Sequence, residues 1–340
     1  MNQSINLFGL TPSQMQILFS LDYYMACLDA EKDAKLLDIL NPFSADHKEK
    51  KVWAEKFKQN VTAFMKAESS ERAYTMVLTD SPSLRSIILE EEKKSETAIW
   101  KYLILLECMV FSPYYPMSEE DSEKKTFKGL SMSDDSRKEA LGNIAAWLGI
   151  EQGEMTQMMD AYENSVKKLT GYWNKVFIGI GAGVVAALLA VLTCGGSIAA
   201  LFGAAGLHGA AAISSGLAAL GGGAIAAGGM GVAGGMAVLI GGGVLLGSGA
   251  GASVSMLLAS TNPSAVMNEC AKMFVILKEI VLGMQHDTKR AQEILAGIID
   301  KVASLKKEVS NLKAQQEADK TKIKNLEKSI KYLEKFLEIA

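Results

Sequence analysis

The stretch "GGGVLLGSGAGASVS", residues 241–255, contains no charge, no proline and no asparagine, although six of its fifteen residues are glycine. Glycine costs a water-exposed helix about 1 kcal/mol relative to alanine, and loops normally carry polar turn residues beside it. The stretch belongs to a longer run, because the 93 residues from Val176 to Asn268 include no Asp, Glu, Lys or Arg. This composition favours an apolar environment.

The uncharged run predicts a membrane module over residues 173–262, long enough for two to four helices of about 20 residues each. A helix in lipid satisfies its own backbone polar groups, so the penalty that glycine carries in water is no longer decisive. Small residues recur at every fourth position, as in a glycine zipper, and this spacing lets helix backbones approach closely. The predicted packing positions are Gly179, Gly183, Gly231, Gly235, Gly243, Gly247 and Gly251.

Residues 1–172 carry the start and stop signals of a helical domain. Thr11, Pro12 and Gln14 predict an N-cap, a first-turn proline and a capping-box partner. The sequence "SPSL" repeats the cap-then-proline signal at Ser81.

A later helix of this domain is predicted from a capping box at Ser136 and Glu139 and a stop at Gly149. Three tryptophans lie on separate predicted helices, and we expect them to anchor the core. They are Trp53, Trp100 and Trp147.

Residues 264–340 follow the "TNPS" sequence, in which Pro263 predicts a boundary. Apolar residues then recur in alternating steps of three and four, interrupted only at Gln316 and Asp319, and this pattern predicts a coiled coil. Its seam positions are Val302, Leu305, Val309, Leu312, Ile323, Leu326, Ile330 and Leu333. The seam favours two parallel strands, while the alternative is a long helix that folds back on the amino-terminal domain of its own chain.

The charges beside this seam have the spacing of favourable pairs between two chains. Such pairs would join Glu308 to Lys313 and Lys322 to Glu327. They favour a homo-oligomer held together by the carboxyl-terminal region.

The sequence contains no catalytic or cofactor-binding motif in the surroundings that such a motif requires. A GxGxxG pattern at 229–234 lies in continuously apolar sequence, and no P-loop, GxSxG or HExxH motif is present. The acidic sequence "SEEDSEKK", 118–125, has no regular ligand spacing and predicts a solvated loop rather than a cation site. The four cysteines form no CxxC pair, and the net charge of −3 does not suggest a nucleic-acid binder. We therefore expect no enzyme activity, no cofactor, no metal and no nucleic-acid partner.

Two resemblances extend over roughly residues 100–255. The sequences "ILLECMVFSPYYPMSEEDSEKK" and "RKEALGNIAAWLGIEQGEMTQMMDAYEN" resemble the helical core of tellurite-resistance TerB-type domains. The Ala-Asp-Gly of that family's acidic loop is absent, so its metal binding is not carried over. The continuation "VKKLTGYWNKVFIGIGAGVVAALLA" is similar to transmembrane-and-coiled-coil-domain proteins, although a coiled coil replaces their hydrolase domain. This likeness implies membrane association without catalysis.

Together these features predict an all-α protein with a helical head, Gly/Ala-rich transmembrane helices and a carboxyl-terminal coiled coil. The leading functional hypothesis is an oligomeric, pore-forming protein that permeabilises a lipid bilayer, as a bacterial toxin or antiviral defence effector does. The alternative is a membrane anchor or scaffold that recruits protein partners through the head and the coiled coil. The absence of a signal peptide and the flanking lysines predict a membrane protein with a cytoplasmic head and tail, soluble before insertion in the toxin case. A third class is a soluble bundle that hides the apolar helices permanently.

Overall fold

The computed structural model describes residues 10–40, 46–68, 76–115, 121–171, 263–315 and 319–340, with the single positions Leu245 and Ala259. Within these ranges the protein is all-α, and no strand is found there. The helices are α1 (Pro12–Leu40), α2 (Asp46–Glu68), α3 (Ser81–Lys94), α4 (Ile99–Val110), α5 (Asp121–Phe127), α6 (Asp134–Leu148), α7 (Gln152–Thr170), α8 (Pro263–Val275), a π-helical segment (Ile276–Met284) that continues α8, α9 (Thr288–Lys313) and α10 (Lys320–Ile339).

Several helix ends lie where the sequence predicts them. The amide of Thr11 donates to Gln14 Oε1 at 3.0 Å, and the amide of Gln14 donates to Thr11 Oγ1 at 3.3 Å, so the capping box of α1 is confirmed. Gly149 ends α6 with a φ of 66°, a conformation that glycine adopts without strain. Helix α8 begins at Pro263, the predicted boundary.

Two other caps are displaced from their predicted residues. Asp80, not Ser81, caps α3, because its carboxylate accepts a 2.8 Å hydrogen bond from the amide of Ser83. Ser133, not Ser136, caps α6, so this helix starts earlier than predicted. The earlier start places two aspartates in the first turn, where the helix dipole stabilises negative charge.

Helix α1 is the centre of the amino-terminal half and packs against α2, α3, α4 and α6. Trp53 and Trp100 are buried, as predicted. The Trp53 indole also donates to the carbonyl of Tyr115 at 2.8 Å, which fixes the chain after α4. Trp147 differs in part from the prediction, since it is only half-buried and packs against the edge of the core, with its ring centroid 4.7 Å from that of Tyr24.

The predicted acidic loop is in part a helix. Residues 121–127 form α5, while residues 116–120 lie outside the described ranges. Glu123 is buried there, 3.5 Å from the ammonium of Lys56, because α5 packs against α2. This part of the sequence is therefore not simply a solvated loop.

Helices α9 and α10 form an antiparallel hairpin. Seven seam residues are buried and Ile323 is half-buried. The chain reverses at the interruption of the heptads, where Asp319 caps α10 by accepting from the amide of Lys322 at 2.9 Å. The predicted parallel coiled coil is not confirmed, because the seam closes within one chain.

The charges that predicted pairing between chains instead pair across this hairpin. Lys313 Nζ lies 2.8 Å from Glu327 Oε1, and Lys322 Nζ lies 3.1 Å from Glu308 Oε1. Helix α10 also packs on α7 and α8, so a single hydrophobic cluster runs from α1 to α10. This arrangement matches the alternative in which the tail folds back on its own chain.

The prediction of transmembrane helices is corrected by the described part of the chain. None of its helices is long and apolar enough to cross a membrane. The longest ones, α1 and α9, carry charged residues along their length, which a bilayer core would not accommodate. The membrane localisation and pore-forming activity that depended on such helices are therefore not supported.

The predicted packing glycines cannot be compared with this fold. Gly179, Gly183, Gly231, Gly235, Gly243, Gly247 and Gly251 lie outside the described residues. Within 172–262 the structure describes Leu245 and Ala259, and both are buried in the hydrophobic cluster.

Candidate functional site

Three charged side chains meet in the interior of the protein, where one side chain of α4 reaches two side chains of α8. The ammonium of Lys272 lies 2.8 Å from Glu107 Oε1 and 2.7 Å from Glu269 Oε1. Their side chains are between 0 and 4% exposed. We refer to Glu107, Glu269 and Lys272 as the buried ion cluster.

The buried ion cluster joins distant parts of the sequence. Glu269 and Lys272 are one turn apart on α8, so they face the same side of that helix. Glu107 lies on α4, 165 residues before Lys272. The cluster therefore fastens the carboxyl-terminal helices to the amino-terminal half.

The electrostatics of the cluster extend to neighbouring acids. Burial alone lowers the pKa of Lys272, but the charges of Glu107 and Glu269 outweigh this effect, so the net direction is upward. Burial, together with the charge of Glu107, raises the pKa of Asp22 well above its usual range. Burial and the same two glutamates also raise the pKa of Tyr162. The cluster thus keeps Lys272 charged and favours the neutral form of Asp22.

Two buried cysteines flank the cluster. Cys108 Sγ lies 4.0 Å from Asp22 Oδ1, and Cys270 follows Glu269 on α8. Burial raises the pKa of both thiols well above the usual value. Because the thiolate is the nucleophile, this environment opposes covalent catalysis at either sulfur.

A second set of contacts holds the two ends of segment 172–262. The hydroxyl of Ser329 donates to the carbonyl of Ala259 at 2.8 Å, and the ammonium of Lys335 donates to the carbonyl of Leu169 at 3.1 Å. Ser329 and Lys335 are six residues apart on α10, or about 9 Å along the helix axis. We call Ser329, Lys335, Leu169 and Ala259 the segment base.

The segment base gives a role to two polar side chains of α10, the buried Ser329 and the exposed Lys335. Ser329 is fully buried, and its hydroxyl satisfies a carbonyl at the end of the apolar segment. Lys335 reaches a carbonyl in the last turn of α7, where a cation also complements the helix dipole. One contact therefore lies just before segment 172–262, and the other lies near the end of that segment.

Neither the buried ion cluster nor the segment base was predicted from the sequence. Glu269 and Lys272 are among the first charges after the uncharged run, and their spacing of three was a signal of a shared helix face. No comparable signal pointed to Glu107, because its partner is distant in sequence. Ser329 lies beside the seam residue Ile330, and the heptad pattern gives such a position no role.

Metal ligation has no support within the described residues, where no group of three or more His, Cys, Asp or Glu side chains is arranged to hold an ion. Comparisons with protein-family models, curated proteins and solved structures find no match to this chain. The resemblances to TerB-type domains and to transmembrane-and-coiled-coil-domain proteins therefore stay predictions, as does the expected lack of enzyme activity.

Proposed function

We propose that this protein is a helical scaffold that holds segment 172–262 at a fixed base and uses the segment to join copies of the chain. The observation that carries this proposal is the segment base. Leu169 precedes the segment, and Ala259 lies near its end. The carbonyls of both residues accept hydrogen bonds from side chains of α10 that are less than two helical turns apart.

Holding both ends of so long a segment opposes chain entropy. Bringing together two positions about 90 residues apart in a chain costs about 4 kcal/mol of chain entropy beyond a constant. The two hydrogen bonds of the segment base and the buried ion cluster, which positions α8 directly after the segment, offset this cost. A fold that keeps both ends of this segment together is suited to present the segment in one place.

The composition of the segment suits association with an identical segment. Its only charged residue, Lys175, lies at its start, and residues 176–262 carry no charge, so burial of that part against another copy requires no charge to be desolvated. Its small residues every fourth position permit close backbone approach, and apolar burial contributes about 25 cal/mol per Å². A second copy therefore supplies a matched surface.

Sedimentation velocity of the full chain over a range of concentrations tests the proposal. We expect a concentration-dependent homo-oligomer that the triple replacement of Gly243, Gly247 and Gly251 by Leu reduces. The matched control is Gly142→Leu, because a Cβ atom added at this position on α6 meets nothing within 4 Å. A chain that stays monomeric at every concentration, or a triple variant that assembles like the control, would overturn the proposal.

A further inference from the structure

A cavity of about 230 Å³ opens between the end of α4, α6 and α7. Its wall is mainly apolar, and one cationic side chain, Arg137, lies against that wall. Tyr162 lines the cavity and is close enough to Glu269 and Glu107 for their charges to raise its pKa. The apolar lining residues are Met109, Val110, Leu141 and Met159.

Arg137 is held in place by the carbonyls that end α4. Its Nη1 donates to the carbonyl of Phe111 at 2.7 Å and to that of Met109 at 3.3 Å. Its Nε is buried without an acceptor among the described residues, and its Nη2 makes no hydrogen bond to a described residue. Two of the three guanidinium nitrogens thus make no hydrogen bond with the described residues, while the Arg137 side chain lines the cavity.

No carboxylate of the described residues lies within 4 Å of the Arg137 guanidinium. Burial lowers the pKa of Arg137, although the more distant Asp134 and Asp29 act in the opposite direction. A desolvated cation without a close anion is unfavourable, since burial of a charge is normally compensated by pairing. This site would gain from an anionic partner.

The other charges at the cavity lie at its exposed mouth. Asp134, Lys138 and Glu163 are all exposed, so water and salt screen them. Their influence on a ligand inside is therefore weaker than that of Arg137, which is half-buried against the apolar wall.

We propose that this cavity binds a small carboxylate with a short apolar tail. The carboxylate accepts a charge-assisted hydrogen bond from the Arg137 guanidinium. The tail lies against Met109, Leu141 and Met159. The lining residues of this cavity lie outside segment 172–262, so the proposed carboxylate site can be tested separately from the proposed scaffold function.

Calorimetric titration of the full chain with sodium hexanoate tests the site, with hexan-1-ol and sodium acetate as partial probes. We expect hexanoate to bind and each partial probe to bind at least about tenfold more weakly, because each lacks the carboxylate or the tail. Equal binding of hexan-1-ol would show that Arg137 plays no part. Failure of hexanoate to bind would overturn the proposal.

Matched variants locate the site within the cavity. Arg137→Gln should weaken hexanoate binding at least about tenfold, whereas Lys138→Gln, one residue along α6, should change it less than about twofold. Because Arg137 also caps α4, a second variant, Ser112→Phe, fills the cavity from its half-exposed rim while leaving Arg137 in place. Binding that survives both Arg137→Gln and Ser112→Phe would overturn the assignment.

Discussion

The buried ion cluster and the ion pairs of the α9–α10 hairpin have nearly the same distances but different surroundings. Lys272 lies 2.7 and 2.8 Å from its two glutamates. Lys306 and Lys313 lie 2.8 Å from theirs. The side chains of the cluster are at most 4% exposed, whereas those of the two hairpin pairs are between 42 and 59% exposed. The distance between the charged atoms alone therefore does not tell how much an ion pair contributes to the stability of the fold.

Burial decides the consequence of losing one partner. An exposed pair is worth about 0 to 1 kcal/mol, because water solvates each charge once the pair is broken. Removing one member of a buried pair costs about 3 to 5 kcal/mol, because the remaining charge has neither water nor a counterion. We therefore expect the buried ion cluster to contribute strongly to the packing of α8 against α4. The hairpin pairs should change the free energy of unfolding only slightly.

The largest effect is expected for Lys272→Met. This change leaves Glu107 and Glu269 together without their shared cation and should lower the free energy of unfolding by about 3 to 5 kcal/mol. Urea denaturation followed by circular dichroism measures the loss.

Lys306→Met is the matched control for this comparison, since it removes a lysine with a similar ion-pair distance at the surface. Adding Glu107→Gln to Lys272→Met should recover part of the lost stability, because one of the two buried charges is gone. Equal losses for Lys272→Met and Lys306→Met would show that burial does not distinguish the two regions.

A stabilising effect of intermediate size is expected for Lys301→Met on α9. Burial lowers the pKa of Lys301 to about 8, below its usual value near 10.4. The folded state therefore binds fewer protons than the unfolded state between these values, and stability rises with pH across that window. At pH 7 the variant should be more stable by about 1 to 3 kcal/mol.

Thermal unfolding of wild type and Lys301→Met from pH 7 to pH 10.5 measures this difference. The gap should narrow as the wild type loses its buried proton. A gap that stays constant with pH would mean that the methionine acts through packing alone and that the charge of Lys301 is not the cause.

The smallest effect is expected for Lys313→Gln at the hairpin surface. Removing its exposed pair with Glu327 should change the free energy of unfolding by less than about 1 kcal/mol, and the difference should shrink further in 1 M salt. Urea denaturation at low and high salt measures it. A salt-independent loss of several kcal/mol would contradict the view that this pair is solvated.

Local signals in the sequence predicted much of the helical layout. The capping box of Thr11 and Gln14, the stop at Gly149 and the start at Pro263 are short-range features, so their chemistry is readable from adjacent residues. The caps at Asp80 and Ser133 were misplaced because several side chains nearby can cap a helix, and packing selects among them.

The candidate site could not be predicted in the same way. The buried ion cluster needs Glu107, which is 165 residues from Lys272, and the segment base needs contacts of α10 with residues 70 and 166 positions earlier. No local pattern encodes such pairs. The cavity beside Arg137 likewise requires three helices to meet.

The sequence by itself determined that this protein is helical, that 93 consecutive residues are uncharged and that the carboxyl-terminal helices carry one apolar stripe. These properties follow from side-chain chemistry and helical periodicity, which act over a few residues. Only the tertiary structure decided what covers that stripe. A heptad pattern is satisfied equally by another chain or by an antiparallel neighbour, and here the reversal before Asp319 placed that neighbour in the same chain.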